Sequence, residues 1–305
     1  MRNRTAIVAA ALIATGSLHA ASAEPATRRV RTADGQIGYQ VLGDARSALP
    51  VIVVNGGPGL SHAYLMMNDL WPKIAKGRTV VLYDQRGTGA SKAMRAGALQ
   101  TMEAQVADLE AVRSALGLER FALVGDSFGG MIAMAYAAAH PEHVAKLVLS
   151  DSAAPSWKSM VHLLPQAFPD IEASDEAEEA RLGAGSEAAA RASLRAHFSM
   201  IFYSPAKRDA YMARMGDLGF EPEVSQAVSK ATADLDLTPK LAAFSFPTLV
   251  ITGRYDMNVA PLTAWRIAHE IPHARMVVFE KSGHLPAYEE PDRYRQVLTA
   301  FLSEP

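Results

Sequence analysis

The chain has 305 residues, 49% of them hydrophobic and 20% charged, a composition that suits one large globular domain or a domain carrying an insertion. A formal net charge of −2 without any basic cluster excludes nucleic acid and an anionic membrane surface as expected partners. There is no cysteine, which excludes disulfides, thiolate catalysis and cysteine-based metal sites.

Met1-Arg2-Asn3-Arg4 is positively charged, Ala6 to Ala14 is an apolar run, and Ala21-Ser22-Ala23 offers a small-residue cleavage site. The pattern predicts a cleavable signal peptide over residues 1–23 and a periplasmic or secreted protein. The apolar run is too short to cross about 30 Å of hydrocarbon, so no stable membrane anchor is expected. Cleavage would take away Arg2 and Arg4 and leave a net charge near −4.

Beyond the signal, Arg28 to Thr32 and Gln36 to Val41 alternate on either side of Asp34-Gly35, which predicts a β-hairpin. Pro50 to Val54 is continuously apolar, as expected of a strand buried on both faces of a parallel sheet, and runs into Asn55-Gly56-Gly57-Pro58-Gly59. A helix is predicted around His62 to Lys76. Thr79 to Tyr83 is a second buried strand, ending in Asp84-Gln85-Arg86-Gly87-Thr88-Gly89-Ala90-Ser91. After Thr101, a candidate N-cap, Met102, Val106, Leu109, Val112 and Leu116 recur at helical steps until Gly117.

Phe121 to Val124 is a third buried strand, and Gly125-Asp126-Ser127-Phe128-Gly129 separates it from a helix-forming segment that begins with Met131. This is G-x-S-x-G between strand and helix. Small residues two before and two after the serine let the backbone bend sharply and lift the hydroxyl above the sheet. Val144 to Leu149 is the next strand, after a break at His140-Pro141.

From Pro155 to Lys240 no buried-strand signal occurs, and acidic, alanine-rich helical material takes its place. The strand pattern resumes at Phe246 to Gly253. A helix near Leu262 to Ile271, a last strand from Ala274 to Phe279, and a closing helix with Tyr294, Val297, Leu298, Phe301 and Leu302 on one face complete the chain. Repeated strand and helix call for a mostly parallel central sheet flanked by helices. The expected division is a core of residues 24–154 and 241–305, with a helical cap over 155–240 inserted after the sixth strand.

A serine hydroxyl needs a base, and the base needs a third group to fix its tautomer. Asp256 follows the strand ending at Gly253, and His284 follows the strand ending at Phe279, at the carboxyl ends where ligand sites gather in open sheets. Singly, each also fits a solvated loop residue. Together with Ser127 they form a candidate triad in the chain order Ser, Asp, His. For the oxyanion hole the candidates are the backbone N–H groups of Gly57 and Phe128. His269 and His273 are four apart but straddle Pro272, so no metal is expected, and no cofactor.

Asn55-Gly56-Gly57-Pro58-Gly59 for H-G-G-P-G, Asp84 to Ser91 for D-Q-R-G-x-G-x-S, and Gly125 to Gly130 for the elbow resemble the proline iminopeptidase group of the α/β-hydrolase superfamily. The resemblance covers nearly all of residues 30–303 outside the cap. It implies the α/β-hydrolase fold and release of an N-terminal residue, often proline, from small peptides, with Ser127, Asp256 and His284 as the triad. The chain departs from the group at Asn55, at Phe128 where tryptophan is common, and at Met257. In some members a carboxylate that binds the substrate amine directly follows the triad aspartate. The group's other amine-binding carboxylate comes from the cap, where Glu223 is the candidate match, and Glu172, Glu176, Glu178 and Glu179 are candidate substitutes from the cap. The sequence thus predicts a serine hydrolase acting on a short peptide or another small molecule, aminopeptidase first. Esterase or lactonase action is the alternative, and a non-catalytic ligand-binding hydrolase fold a further one.

Overall fold

A computed structural model describes residues 25–44 and 48–305; the predicted signal peptide lies outside them. The predicted hairpin is β1 (Arg28–Arg31) paired antiparallel with β2 (Gln36–Leu42). The buried apolar runs become β3 (Val51–Val54), β4 (Val80–Tyr83), β5 (Phe121–Asp126), β6 (Val144–Ser150) and β7 (Thr248–Gly253), and the last predicted strand becomes β8 (Arg275–Phe279), an edge strand of which only Phe279 is buried. They form one eight-stranded sheet in the order β1-β2-β4-β3-β5-β6-β7-β8, parallel from β4 to β8. The fold is that of an α/β hydrolase.

The two-residue period of β3 explains why it reads as uninterrupted apolar sequence: Ile52 and Val54 enter one core layer, Val51 and Val53 the other, and all four are fully buried. On the first face lie α2 (Met102–Ala115) and α3 (Phe128–Ala139), with Leu109, Val112, Met131 and Ile132 against the strands. Thr101 caps α2 as predicted, its Oγ1 accepting the Ala104 N–H, and Gly117 beyond its end has φ +62°. The second face is covered by α1 (Leu70–Ile74) and by the closing helix Pro291–Ser303 through Trp71, Ile74, Tyr294, Leu298 and Phe301.

The single helix predicted over His62 to Lys76 is instead a 3₁₀ turn, His62–Met66, followed by α1. Asn68 Oδ1 accepts the Leu70 N–H at 3.0 Å and starts a new helix there, and Pro72 is tolerated only within a first turn.

Between β6 and β7 the chain forms helices: α4 (Leu164–Ala167), α5 (Pro169–Leu182), α6 (Glu187–Met200), α7 (Pro205–Arg214), α8 (Pro222–Thr232) and α9 (Thr238–Leu241). This insertion starts and ends side by side, since Ser156 bridges to Asp236 and the Leu237 N–H donates to Pro155 O at 2.9 Å. Three helices complete the chain: α10 (Pro261–Glu270), α11 (Pro286–Glu289) and the closing helix, α12. Among the described residues no helix is long and apolar enough to cross a membrane.

Candidate active site

Ser127 stands at the turn between β5 and α3 with φ +52° and ψ −122°, an unusual conformation for a side-chain-bearing residue. Its neighbours impose it: the Ser127 N–H donates to Ser150 O at 3.0 Å, while its carbonyl accepts from Gly130 at 2.9 Å and Ala153 at 2.8 Å. The bend also needs a bare backbone at Gly129, where a Cβ would fall 2.2 Å from Val54 O.

The three predicted triad residues converge. His284 Nε2 lies 3.0 Å from Ser127 Oγ, and His284 Nδ1 lies 2.7 Å from Asp256 Oδ2. Asp256 is fully buried, and its other oxygen accepts the N–H groups of Asn258 at 2.9 Å and Val259 at 2.8 Å. A carboxylate so held accepts the proton on Nδ1, which leaves Nε2 free to take one from Ser127. Burial pushes the His284 imidazole down, but the charge of Asp256, its hydrogen bond and the charge of Asp126 outweigh that and raise it above the ordinary value of 6.5.

Gly57 and Phe128 both line the cavity in front of Ser127. Gly57 has φ +132°, within the region that favours glycine, and precedes the cis bond to Pro58. Phe128 is the first residue of α3, so its N–H has no partner within the helix and lies at the positive end of the helix dipole. Asn55, the first residue of the glycine motif, holds the glycine loop by donating to Gly56 O at 2.9 Å and Leu60 O at 2.8 Å. The Asp84 to Ser91 motif is a buried brace: Asp84 Oδ2 accepts the Ala90 N–H, and Arg86 makes a forked pair with Asp108.

Two features escaped the sequence reading because their partners are far apart in the chain. Tyr64 Oη accepts the Gly56 N–H at 2.5 Å and donates to Asp126, so the residue before Ser127 is tied to the glycine loop. Burial pushes the Asp126 carboxyl up to about 6, against the pull of Tyr64 and His284. Asp151, just beyond β6, is also buried, with φ +44°. Its oxygens accept the N–H of Gly253 at 2.9 Å and the hydroxyl of Ser150 at 3.1 Å. Burial and the nearby charge of Asp256 push its carboxyl well above the ordinary range. Asp151, Asp256 and His284 have ligand-type atoms within 4.8 Å of one another; Asp256 and His284 bond each other, and their remaining side-chain bonds, like those of Asp151, go to backbone N–H groups and to the hydroxyls of Ser150 and Ser127.

The cavity has a volume of about 410 Å³, in the size range of small-molecule sites. The carboxyl edge of the sheet supplies its floor through Ser127, Phe128 and His284, in the turns and helix start that follow the strands, and the insertion its walls through Trp157, Leu194, His197, Phe198, Phe220 and Gln226. Trp157 stacks on Phe128 with centroids 6.1 Å apart and planes 7° from parallel. The candidate amine-binding carboxylates do not line it. Glu223 is exposed, Glu178 pairs with Arg181, and Glu172, Glu176 and Glu179 belong to α5, which buries no residue. Met257 packs into the second core layer.

The insertion is also bonded to both loops of the site. Ser61 donates its N–H at 3.1 Å and its hydroxyl at 2.7 Å to Leu218 O, and the Glu221 N–H donates to Gly59 O at 2.9 Å. The His284 N–H donates to Ile201 O at 2.8 Å. Buried Glu289 accepts the N–H groups of Gly283 at 2.6 Å and Ser204 at 2.8 Å, clamping the histidine loop to the insertion.

The family of the alpha/beta hydrolase fold matches residues 50–291. A proline iminopeptidase of Lactobacillus delbrueckii subsp. bulgaricus is 30% identical over 279 residues, 86% of this chain and 92% of the relative. Among solved structures, a thermophilic esterase from Thermogutta terrifontis superposes with a TM-score of 0.68 at 26% identity, covering 91% of this chain and 98% of its own. The proline iminopeptidase of Mycobacterium smegmatis superposes at 0.65 with 26% identity, covering 91% and 97%. The chain belongs to the α/β-hydrolase family, in its proline iminopeptidase group.

Proposed function

We propose that the protein is a serine hydrolase that transfers an acyl group from a small substrate to Ser127 and then to water. The observation that carries this reading is the unbroken relay from Ser127 Oγ to His284 at 3.0 Å and from His284 to buried Asp256 at 2.7 Å. Ser127 Oγ attacks the substrate carbonyl while Nε2 takes its proton, and Asp256 stabilises the imidazolium that forms. The Gly57 and Phe128 N–H groups bind the oxyanion. His284 then protonates the departing alcohol or amine. Water, deprotonated by the same nitrogen, attacks the acyl-enzyme, and the acid leaves as Ser127 regains its proton.

The relay works only with His284 neutral. Because its imidazole is raised, the acid limb of kcat/KM is expected above about 6.5, the ordinary histidine value. A second reading, cleavage of N-terminal residues from small peptides, is favoured by the 30% identity to a proline iminopeptidase over 92% of that relative. Labelling with a serine-directed fluorophosphonate tests the common mechanism. The wild type is expected to label and Ser127→Ala not to; label retained by Ser127→Ala, or absent from both, would sink it. Loss of the hydroxyl is also expected to lower turnover by at least about 10³-fold.

A further inference from the structure

The cavity walls carry an unusual charge balance for a site that would hold an N-terminal amine. Among the described residues, Asp126 is the only carboxylate that lines the cavity, and no lysine or arginine does. Asp126 is already engaged by the Tyr64 hydroxyl, and burial keeps its carboxyl close to half-protonated around pH 6. Among the cap glutamates, Glu221 is paired with Lys92 at 2.7 Å. An ammonium entering this space would lose its water and meet no free carboxylate.

What the cap offers instead is neutral and polar. Ser193 and His197 lie four residues apart on α6 and so project from one face of the helix into the cavity, with Ser225 and Gln226 of α8 also lining it. His197 has Phe198 edge-on at 6.1 Å. Burial pushes its imidazole down to about 3, with the charges of His284 and His162 adding to the effect, so it stays uncharged over the working pH range. A neutral imidazole facing an apolar cavity is a hydrogen-bonding group for an uncharged polar atom.

We infer that this site, read as a serine hydrolase, selects substrates with an uncharged acyl group, carboxylic esters and lactones, and that His197 recognises a polar atom on that group. The substrate class therefore differs from the aminoacyl compounds named for the relatives, while the acyl-transfer chemistry is shared.

The test is a set of phenyl esters with one leaving group and one ring size: cyclopentanecarboxylate, tetrahydrofuran-2-carboxylate and prolinate. They differ by a single ring position, which is CH₂, O or NH₂⁺. Both neutral esters are expected to exceed the prolyl ester in kcat/KM by at least about tenfold, since one unmatched polar contact is worth about that factor. Equal or faster cleavage of the prolyl ester would overturn the charge assignment. The oxygen-containing ester is expected to lead the carbocyclic one, and His197→Phe to abolish that lead while His197→Gln, which keeps a neutral donor, retains it. A lead unchanged in His197→Phe would overturn the role given to His197. Wild-type fluorophosphonate labelling separates the levels: a labelled enzyme that prefers the prolyl ester refutes the neutral-substrate assignment alone, whereas an unlabelled one refutes the hydrolase reading beneath it.

Discussion

β5 and α5 show two ways of using sequence. All six residues of β5 are buried, while α5, at fourteen residues, buries none. In the strand both faces meet apolar layers, so nearly every position is constrained by packing and by its place next to Ser127. In the cap the constraint concentrates at isolated points such as Phe198, Tyr211 and Val228, with polar surface between them. The carboxyl edge of the sheet therefore positions Ser127 and His284, and the cap holds its shape through a few buried side chains.

The largest expected effect lies at the carboxyl edge of the sheet. Asp256→Asn removes the charge that holds the His284 tautomer and should lower kcat by about 10³- to 10⁴-fold, or about 4 to 5.5 kcal/mol of barrier. Steady-state kinetics on any turned-over ester would measure it. A loss below tenfold would mean that Asp151, within 4.8 Å of the same atoms, takes over the role. Next comes packing. Leu123→Ala, at a fully buried β5 position, should cost about 2–5 kcal/mol in urea unfolding. Glu178→Ala on α5 should leave the midpoint unchanged, and a comparable shift there would erase the contrast between the two regions.

The smallest effect concerns Asp126 and runs with pH. Its native carboxyl titrates near 6 rather than near 3.8, so the folded state binds the proton more tightly than the unfolded chain. That stabilisation is complete below about pH 4 and is lost as pH rises through about 6. Asp126→Asn retains an oxygen for Tyr64 and removes the loss. Relative to wild type it should gain about 2 kcal/mol between about pH 4 and pH 7. Parallel stability curves would show that this carboxyl titrates alike in the folded and unfolded chains and overturn the raised value.

What could be read from the sequence followed local physics. Each buried strand is a short apolar run, so β3 to β7 stand out, and Ser127, Asp256 and His284 are recognisable because each lies within five residues of the end of a strand, β5, β7 and β8 respectively. The Tyr64 to Asp126 bond spans 62 positions, and nothing near Tyr64 in sequence signals it. Asp151 could be noticed only as another polar residue at a strand end, the same signal that marks Asp256. In the cap, helix-forming composition announces helices without saying which faces turn inward. His197 and Gln226 were therefore hidden, and the glutamates of α5 stood out as candidates although they do not line the cavity.

The bonds from Ile201 to His284 and from Leu218 and Glu221 to the glycine loop bear on how such enzymes diversify. A cap that only roofed a cavity could be exchanged between relatives like an accessory, leaving the reaction intact. Here a graft must also deliver a carbonyl where Ile201 presents one and backbone partners for Ser61 and Gly59. New specificities in this lineage are therefore more accessible by changing wall residues on the existing cap helices than by replacing the cap whole.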